Sequence, residues 1–116
     1  MKILGLGNFG TEGYTPVPYD FDYTGVVNAQ YAVPGEDLGI SSVTERYFLG
    51  PCREDHEYQK AIDHIDSHRD EILELVSNFP YLTEKHKNEM IKYLENYFDE
   101  VSSPKFIGSA LKRTCR

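Results

Sequence analysis

The sequence predicts an α+β fold that is mostly α, with an N-terminal β-hairpin followed by a helical bundle. The composition changes near residue 52, because eight of the nine glycines and four of the six prolines lie in residues 1–51. Apolar residues then recur at helical spacing through residues 54–116. Glycine and proline favour turns, whereas a 3.6-residue apolar period is typical of amphipathic helices. We therefore expect a single unit over 1–116, with the hairpin and loops in 1–53 and the helices in 54–116.

The predicted hairpin occupies the first nineteen residues. Residues 1–6 indicate a short strand. Residues 14–19 are expected to be extended, because each proline disfavours helix at the residue before it. The segment between them is a turn by virtue of its glycines, which are Gly5, Gly7, Gly10 and Gly13. An isolated hairpin is marginal in water, so this one needs the helices or further chain to pack against.

Two longer helices are expected next. Residues 54–78 carry one apolar stripe that Asn78 and Pro80 end. Thr83 is a suitable cap for a second helix that runs to about Val101. The short link between them favours antiparallel neighbours. Their predicted interface consists of apolar residues from both stripes, namely Ile62, Ile65, Ile72, Val76, Leu94, Tyr97 and Phe98.

Two shorter helices complete the prediction. Ser41 or Ser42 is a suitable cap for a short helix through Tyr47, which Gly50-Pro51 would end. Ser103-Pro104 combines a cap with a first-turn proline and is expected to open a last helix.

Composition and charge exclude several classes of protein. Leu, Ile, Val and Phe make up 29 of the 116 residues, which is more than a disordered chain usually contains. The net charge is -7, which argues against a nucleic-acid partner because phosphates need a basic patch. We find no transmembrane segment and no signal-peptide pattern in the sequence.

The run from Gly5 to Gly10 has the spacing GxGxxG after a predicted strand. In a dinucleotide fold the third glycine opens a helix that holds the pyrophosphate. Here the residues up to Pro18 contain two prolines and a further glycine, so no helix can follow. A glycine-rich hairpin turn is therefore favoured, and a nucleotide-binding domain is the weaker interpretation.

The helix predicted over residues 54–78 carries three side chains that are candidates for a chemical role. His64 and His68 are one helical turn apart, a spacing that can ligate zinc. The metalloprotease pattern needs Glu directly after the first histidine, where this chain has Ile65, so a solvated helix face is favoured. Arg69 lies near the middle of the apolar stripe. It must pair with a carboxylate of the first half or lie at a wetter rim of the helix.

Cys52 and Cys115 are the only cysteines. Their separation makes a metal site improbable. They are either two thiols or one long-range disulfide, and the residues alone leave both alternatives open because the compartment decides.

The densest cluster of candidate ligands contains Asp20 and Asp22. Two carboxylates two residues apart, at the end of an extended segment, can bind a hard cation such as Mg²⁺. A continuing strand would place both on one face. The alternative is that they only form a turn, as loop aspartates often do.

The segment around these aspartates resembles a known family. The run from Val17 to Pro34 is similar to the C-terminal portion of a family of uncharacterised exported proteins from Bacteroidetes-type bacteria. The likeness covers nearly the whole chain. It continues in later segments, which are Leu38-Gly39-Ile40, Ser42-Val43-Thr44-Glu45-Arg46, Gly50-Pro51-Cys52-Arg53, Arg69-Asp70-Glu71-Ile72-Leu73, Tyr93-Leu94-Glu95-Asn96-Tyr97-Phe98 and Cys115.

That family is similar to the CotH-type and HipA-type atypical kinases, and the resemblance implies the C-terminal part of a kinase-like lobe. Residues 1–4 would match the strand after the catalytic loop. Asp20 would match the metal-binding aspartate of the Asp-Phe-Gly triplet, with Asp22, in place of the glycine, as the second or alternative ligand. The cofactors implied are Mg²⁺ and, in the full-length parent, ATP. The catalytic loop, the glycine-rich loop and the lysine are absent, so the chain is expected to be inactive alone.

The same resemblance implies partners and a compartment. The expected partner is the remainder of a longer parent polypeptide, or a second copy of the chain. An exported or periplasmic location would favour a disulfide between Cys52 and Cys115, because disulfides persist there. The alternative function is a small non-enzymatic interaction module, in which the aromatic, glycine-rich first half contacts a partner.

Overall fold

A computed structural model of the chain describes residues 2–4, 15–18 and 20–116. This part of the chain is mostly helical, as the sequence predicts. The α-helices are α1 (Asp55–Asp66), α2 (Arg69–Ser77) and α3 (Glu84–Val101). A π-helical turn (Ile107–Leu111) then continues into α4 (Lys112–Thr114), and a short 3₁₀ turn lies earlier, at Glu36–Leu38.

Two three-residue strands precede the helices. Strand β1 (Lys2–Leu4) pairs antiparallel with β2 (Thr15–Val17), and Ile3 stands opposite Pro16. The chain between the strands, with the glycine motif from Gly5 to Gly10, lies outside the described residues. The hairpin expected over residues 1–19 therefore stays a prediction.

The prediction of one helix over residues 54–78 is wrong, because α1 and α2 are separated by Ser67 and His68. The His68 amide bonds to the carbonyl oxygen of Ile65, three residues back, at 3.0 Å, which tightens the last turn. The Ser67 hydroxyl donates to the carbonyl oxygen of His64 at 2.6 Å. Serine side chains offer the backbone this alternative to a regular helix. The apolar stripe continues across a two-residue break, so periodicity does not reveal it.

The prediction for α3 is confirmed at both ends. The Thr83 hydroxyl oxygen accepts from the amide of His86 at 3.3 Å, and the helix ends at Val101. Arg69, the first residue of α2, lies against Phe98, near the end of α3. The two helices therefore run in opposite directions, as the short link predicts.

The core of the described part is small. Its buried apolar side chains are Tyr58, Phe98 and Val101, and of these Phe98 is fully buried, at 1% exposed. Most of the other residues of the predicted interface are half-buried. Ile65 is an error of the prediction, because its side chain is 40% exposed in the last turn of α1, beside the break.

The short helix predicted from Ser41 or Ser42 through Tyr47 is also wrong, since the chain makes a single turn there. The Glu45 carboxylate accepts from the Ser41 hydroxyl at 2.6 Å and from the Ser41 amide at 2.9 Å. These bonds give the polar groups of Ser41, at the start of the turn, a hydrogen-bond partner. The chain then leaves helical geometry at Arg46, whose side chain is bound to α3.

The C-terminal segment confirms the expected last helix and closes the fold. Cys52 and Cys115 form a disulfide, with Cα atoms 5.0 Å apart. Beside it, the Thr114 hydroxyl donates to the carbonyl oxygen of Phe48 at 2.8 Å, and the Arg116 amide donates to that of Gly50 at 3.0 Å. An ion pair between Lys112 and Asp55 adds a contact to α1.

Candidate functional site

The two candidate metal ligands lie on a loop that follows β2. Asp20 has a φ of 63°, in the left-handed region that side-chain-bearing residues seldom adopt. Aspartate tolerates this region better than most residues, because its short side chain can bond locally. Asp20 is exposed and Asp22 is half-buried. The strained backbone turns the chain immediately before the second carboxylate.

The carboxyl groups of Asp20 and Asp22 influence each other's protonation. Hydrogen bonding with Asp22 and charge repulsion from it raise the pKa of Asp20. The same contact lowers the pKa of Asp22, and the Tyr31 hydroxyl, which donates to Asp22 Oδ2 at 3.1 Å, lowers it further. Two carboxyl groups that interact in this way favour a shared proton or a shared cation over two free charges.

The loop around the pair is held by short-range contacts. The Thr24 amide and hydroxyl both donate to the carbonyl oxygen of Phe21, at 3.0 and 2.7 Å. The Tyr23 ring packs edge-to-face on Tyr31, with centroids 5.8 Å apart. The turn expected as the alternative to a metal site is therefore present at residues 21–24. Asp22 lies within it and Asp20 directly precedes it.

The donor set of the pair fits Mg²⁺. Magnesium prefers carboxylate oxygens, keeps several waters, and is commonly bound through one or two carboxylates together with substrate phosphates. Within residues 2–4, 15–18 and 20–116, no group of three or more His, Cys, Asp or Glu side chains is placed to hold a metal ion. The loop thus offers two ligands, and the others would come from water or from other molecules.

A groove with a volume of about 530 Å³ lies between the next part of the loop and α3. Gly25 lines it, and a Cβ atom there would clash with the backbone carbonyl oxygen of Val43 and lie 2.5 Å from the Tyr93 hydroxyl, so only glycine fits this approach. The helix contributes polar groups from His86 and Glu89. Sequence reasoning missed the groove, because its two walls are far apart in the chain.

Arg46 is a second residue whose role the sequence did not reveal. Its guanidinium donates to Glu100 Oε1 at 3.0 Å and to the carbonyl oxygen of Tyr93 at 2.6 Å. The same group lies over the rings of Tyr93 and Tyr97, 4.7 and 5.8 Å from their centroids. This one side chain therefore anchors the loop region to α3. An isolated arginine in a loop gives no periodic signal that could have identified it.

The loop that carries the aspartates also exposes large apolar side chains. Phe21 and Tyr23 are each 55% exposed, Tyr31 is 61% exposed and Val33 is 67% exposed. Single exposed apolar residues are ordinary, but several on one short loop are characteristic of a contact surface.

The remaining candidates lie on the helices. His64 and His68 are both exposed, as expected, and their ring centroids are 5.2 Å apart. Arg69 is half-buried with its guanidinium 5.1 Å from the centroid of Phe98. Among the described residues no carboxylate lies within ion-pair distance of it. Of the two alternatives left open by the sequence, the carboxylate partner is therefore not found, and the guanidinium lies against an aromatic ring.

Comparison with known proteins gives no further guide to the site. No family model, curated protein or solved structure matches this chain. None of the helices in the part of the chain that the structure describes is long and apolar enough to cross a membrane.

Proposed function

We propose that the chain is the C-terminal segment of a kinase-like protein of the CotH/HipA type, with Asp20 and Asp22 as its magnesium-binding loop. The proposal is carried by two carboxylates two residues apart after β2, with Asp20 at a positive φ and Asp22 accepting a hydrogen bond from Tyr31. Their mutual interaction raises the pKa of Asp20 and lowers that of Asp22. Strained backbone outside glycine is concentrated at functional sites. Bound Mg²⁺ would supply positive charge for the phosphate oxygens of ATP.

The segment would be inactive alone. Phosphoryl transfer requires a phosphate cradle and a positioned base as well as metal ligands. The proposal assigns only the metal ligands to this chain, and the ATP-binding groups to the remainder of the parent polypeptide. The exposed apolar side chains of Phe21, Tyr23 and Val33 support such a partner, since burial against further chain would remove them from water. The disulfide supports an exported location, because it persists in oxidising compartments.

Magnesium binding can be tested by titrating the chain while recording its backbone amide resonances. The amides around Asp20 and Asp22 should shift and saturate. Asp20→Asn and Asp22→Asn should each weaken binding by more than about tenfold, because loss of even an outer-shell partner of a metal costs that much. Asp37→Asn is the matched control, as Asp37 is an exposed carboxylate of the 3₁₀ turn at Glu36–Leu38, outside the segment that carries the pair.

The two parts of the proposal have separate tests. If these resonances do not respond to millimolar Mg²⁺, or if the Asp37 variant loses as much affinity as the others, the metal loop is refuted. Turnover of ATP by the isolated chain would refute the assignment of catalysis to the remainder of the parent.

A second candidate function is a non-enzymatic interaction module, which the exposed aromatic loop favours independently of any metal. In that case Phe21→Ser and Val33→Ser should abolish an association that Asp20→Asn leaves intact. Sedimentation of the chain over a range of concentrations measures self-association directly. A monomer mass for the unsubstituted chain at every concentration would rule out a second copy as the partner. Equal dimer masses for the unsubstituted chain and both serine variants would rule out this loop as the contact surface.

A further inference from the structure

The histidine pair at the break between α1 and α2 lies outside the site proposed above. His64 is in the last turn of α1, and His68 is the residue that precedes α2. Both side chains are exposed, so their ring nitrogens are accessible to an ion from solvent. The two rings are in edge-to-face contact, and the angle between their planes is 79°.

The separation of the rings matches that of two imidazoles on one ion. With Zn–N bonds of about 2.0–2.1 Å and tetrahedral angles, two bound imidazole rings have centres about 5 Å apart. The centroids of His64 and His68 are 5.2 Å apart. Both side chains are exposed, so rotation about their side-chain bonds can direct one nitrogen of each ring at a common point.

A second observation concerns the ring nitrogen of His68 that would not bind the ion. Nδ1 of His68 lies 3.1 Å from Oε1 of Glu71. A carboxylate can only accept, so Nδ1 carries the hydrogen in this contact. In the neutral ring Nε2 then keeps its lone pair. Histidines that bind metals usually donate their other ring N–H to a carboxylate or carbonyl in this way. The contact with Glu71 therefore favours the neutral tautomer in which Nε2 of His68 can bind a metal.

We propose that His64 and His68 form a two-histidine site for Zn²⁺, with Glu71 positioning His68. Water or a group from another molecule would fill the other positions. Imidazole suits zinc and related transition ions, whereas Mg²⁺ prefers oxygen, so the site is chemically distinct from the Asp20–Asp22 pair. A bound ion would link the end of α1 to the start of α2 across the break.

The test uses Zn²⁺ alone with the full chain, in competition with a chromophoric chelator. His64→Ala and His68→Ala should each weaken zinc binding by more than about tenfold, and Glu71→Gln by about tenfold. His56→Ala is the matched control, because His56 is an exposed histidine of the same helix away from the pair. Zinc should also raise the melting temperature of the unsubstituted chain but not that of the variant that lacks both histidines, because only the unsubstituted chain binds zinc in the folded state.

Several outcomes would overturn the proposal. Unchanged zinc affinity in the double histidine variant would show that the ion binds elsewhere. A loss in the His56 variant as large as that in the His64 variant would show unspecific binding to exposed histidines. An unchanged affinity in Glu71→Gln would remove the positioning role. Asp20→Asn and Asp22→Asn should leave zinc binding intact, and failure of the magnesium titration has no bearing on this result.

Discussion

Removal of the Cys52–Cys115 disulfide should lower the free energy of unfolding by about 4 kcal/mol, with the folded structure largely unchanged. The two cysteines are 63 residues apart. In the chain-entropy model, a cross-link that closes a loop of this size removes about that much conformational freedom from the unfolded chain. The variant is Cys52→Ser with Cys115→Ser, which removes the bond and leaves no thiol.

The folded geometry should survive in this variant because other contacts close the same loop. Thr114 bonds to the backbone of Phe48 and Arg116 to that of Gly50, and Lys112 pairs with Asp55. The loss of unfolding free energy therefore arises mainly because the unfolded chain gains conformational freedom. For 116 residues, an unfolding entropy of about 2.1 cal/mol/K per residue converts each kcal/mol into about 4 °C, so the melting temperature should fall by roughly 16 °C.

Thermal and urea unfolding followed by circular dichroism measure both quantities. The dependence of the unfolding free energy on urea should become steeper, because the unfolded chain without the bond exposes more surface. Reductant should have no effect on the double serine variant, which controls for effects unrelated to the bond. A fall in melting temperature of less than about 4 °C, under reversible conditions, would refute the reasoning, since it corresponds to only about 1 kcal/mol.

Two further predictions concern the packing on α3. Gly25→Ala should cost about 1–3 kcal/mol, because the added Cβ would clash with the backbone carbonyl oxygen of Val43 as well as lying 2.5 Å from the Tyr93 hydroxyl. Gly108→Ala should cost less, because no atom lies within 4 Å of its Cβ. Equal losses of unfolding free energy in urea would contradict this. Arg69→Met and Phe98→Leu, combined in a double-mutant cycle, should give a coupling energy of about 0.5–2 kcal/mol, because the guanidinium lies over the ring at 5.1 Å. A coupling energy of zero would mean that the contact contributes nothing.

The sequence was most informative where a local signal and a periodic one agree. Thr83 caps α3, the apolar period continues to Val101, and both limits are as expected. The break after α1 depends on one hydroxyl, that of Ser67, which bonds to the backbone instead of facing solvent. Periodicity averages over such a detail, so the prediction joined two helices into one.

The candidate site was partly predictable for a similar reason. The spacing of Asp20 and Asp22 is a local property, and it identified the pair. The contribution of Tyr31 depends on how the loop folds back over nine residues, which no spacing rule gives. Arg46 reaches Tyr93 and Glu100, which are 47 and 54 residues away, so only the folded structure could reveal its role.

The disulfide also divides the chain topologically. It closes residues 52–115 into one covalent ring that contains α1, α2 and α3. One proteolytic cut inside this ring leaves the two products joined, so the helical part stays in one piece. The loop with Asp20 and Asp22 lies outside the ring, and a single cut between it and Arg46 removes it from the rest of the covalent chain. After such a cut, the aspartates would stay with the helices only through non-covalent contacts.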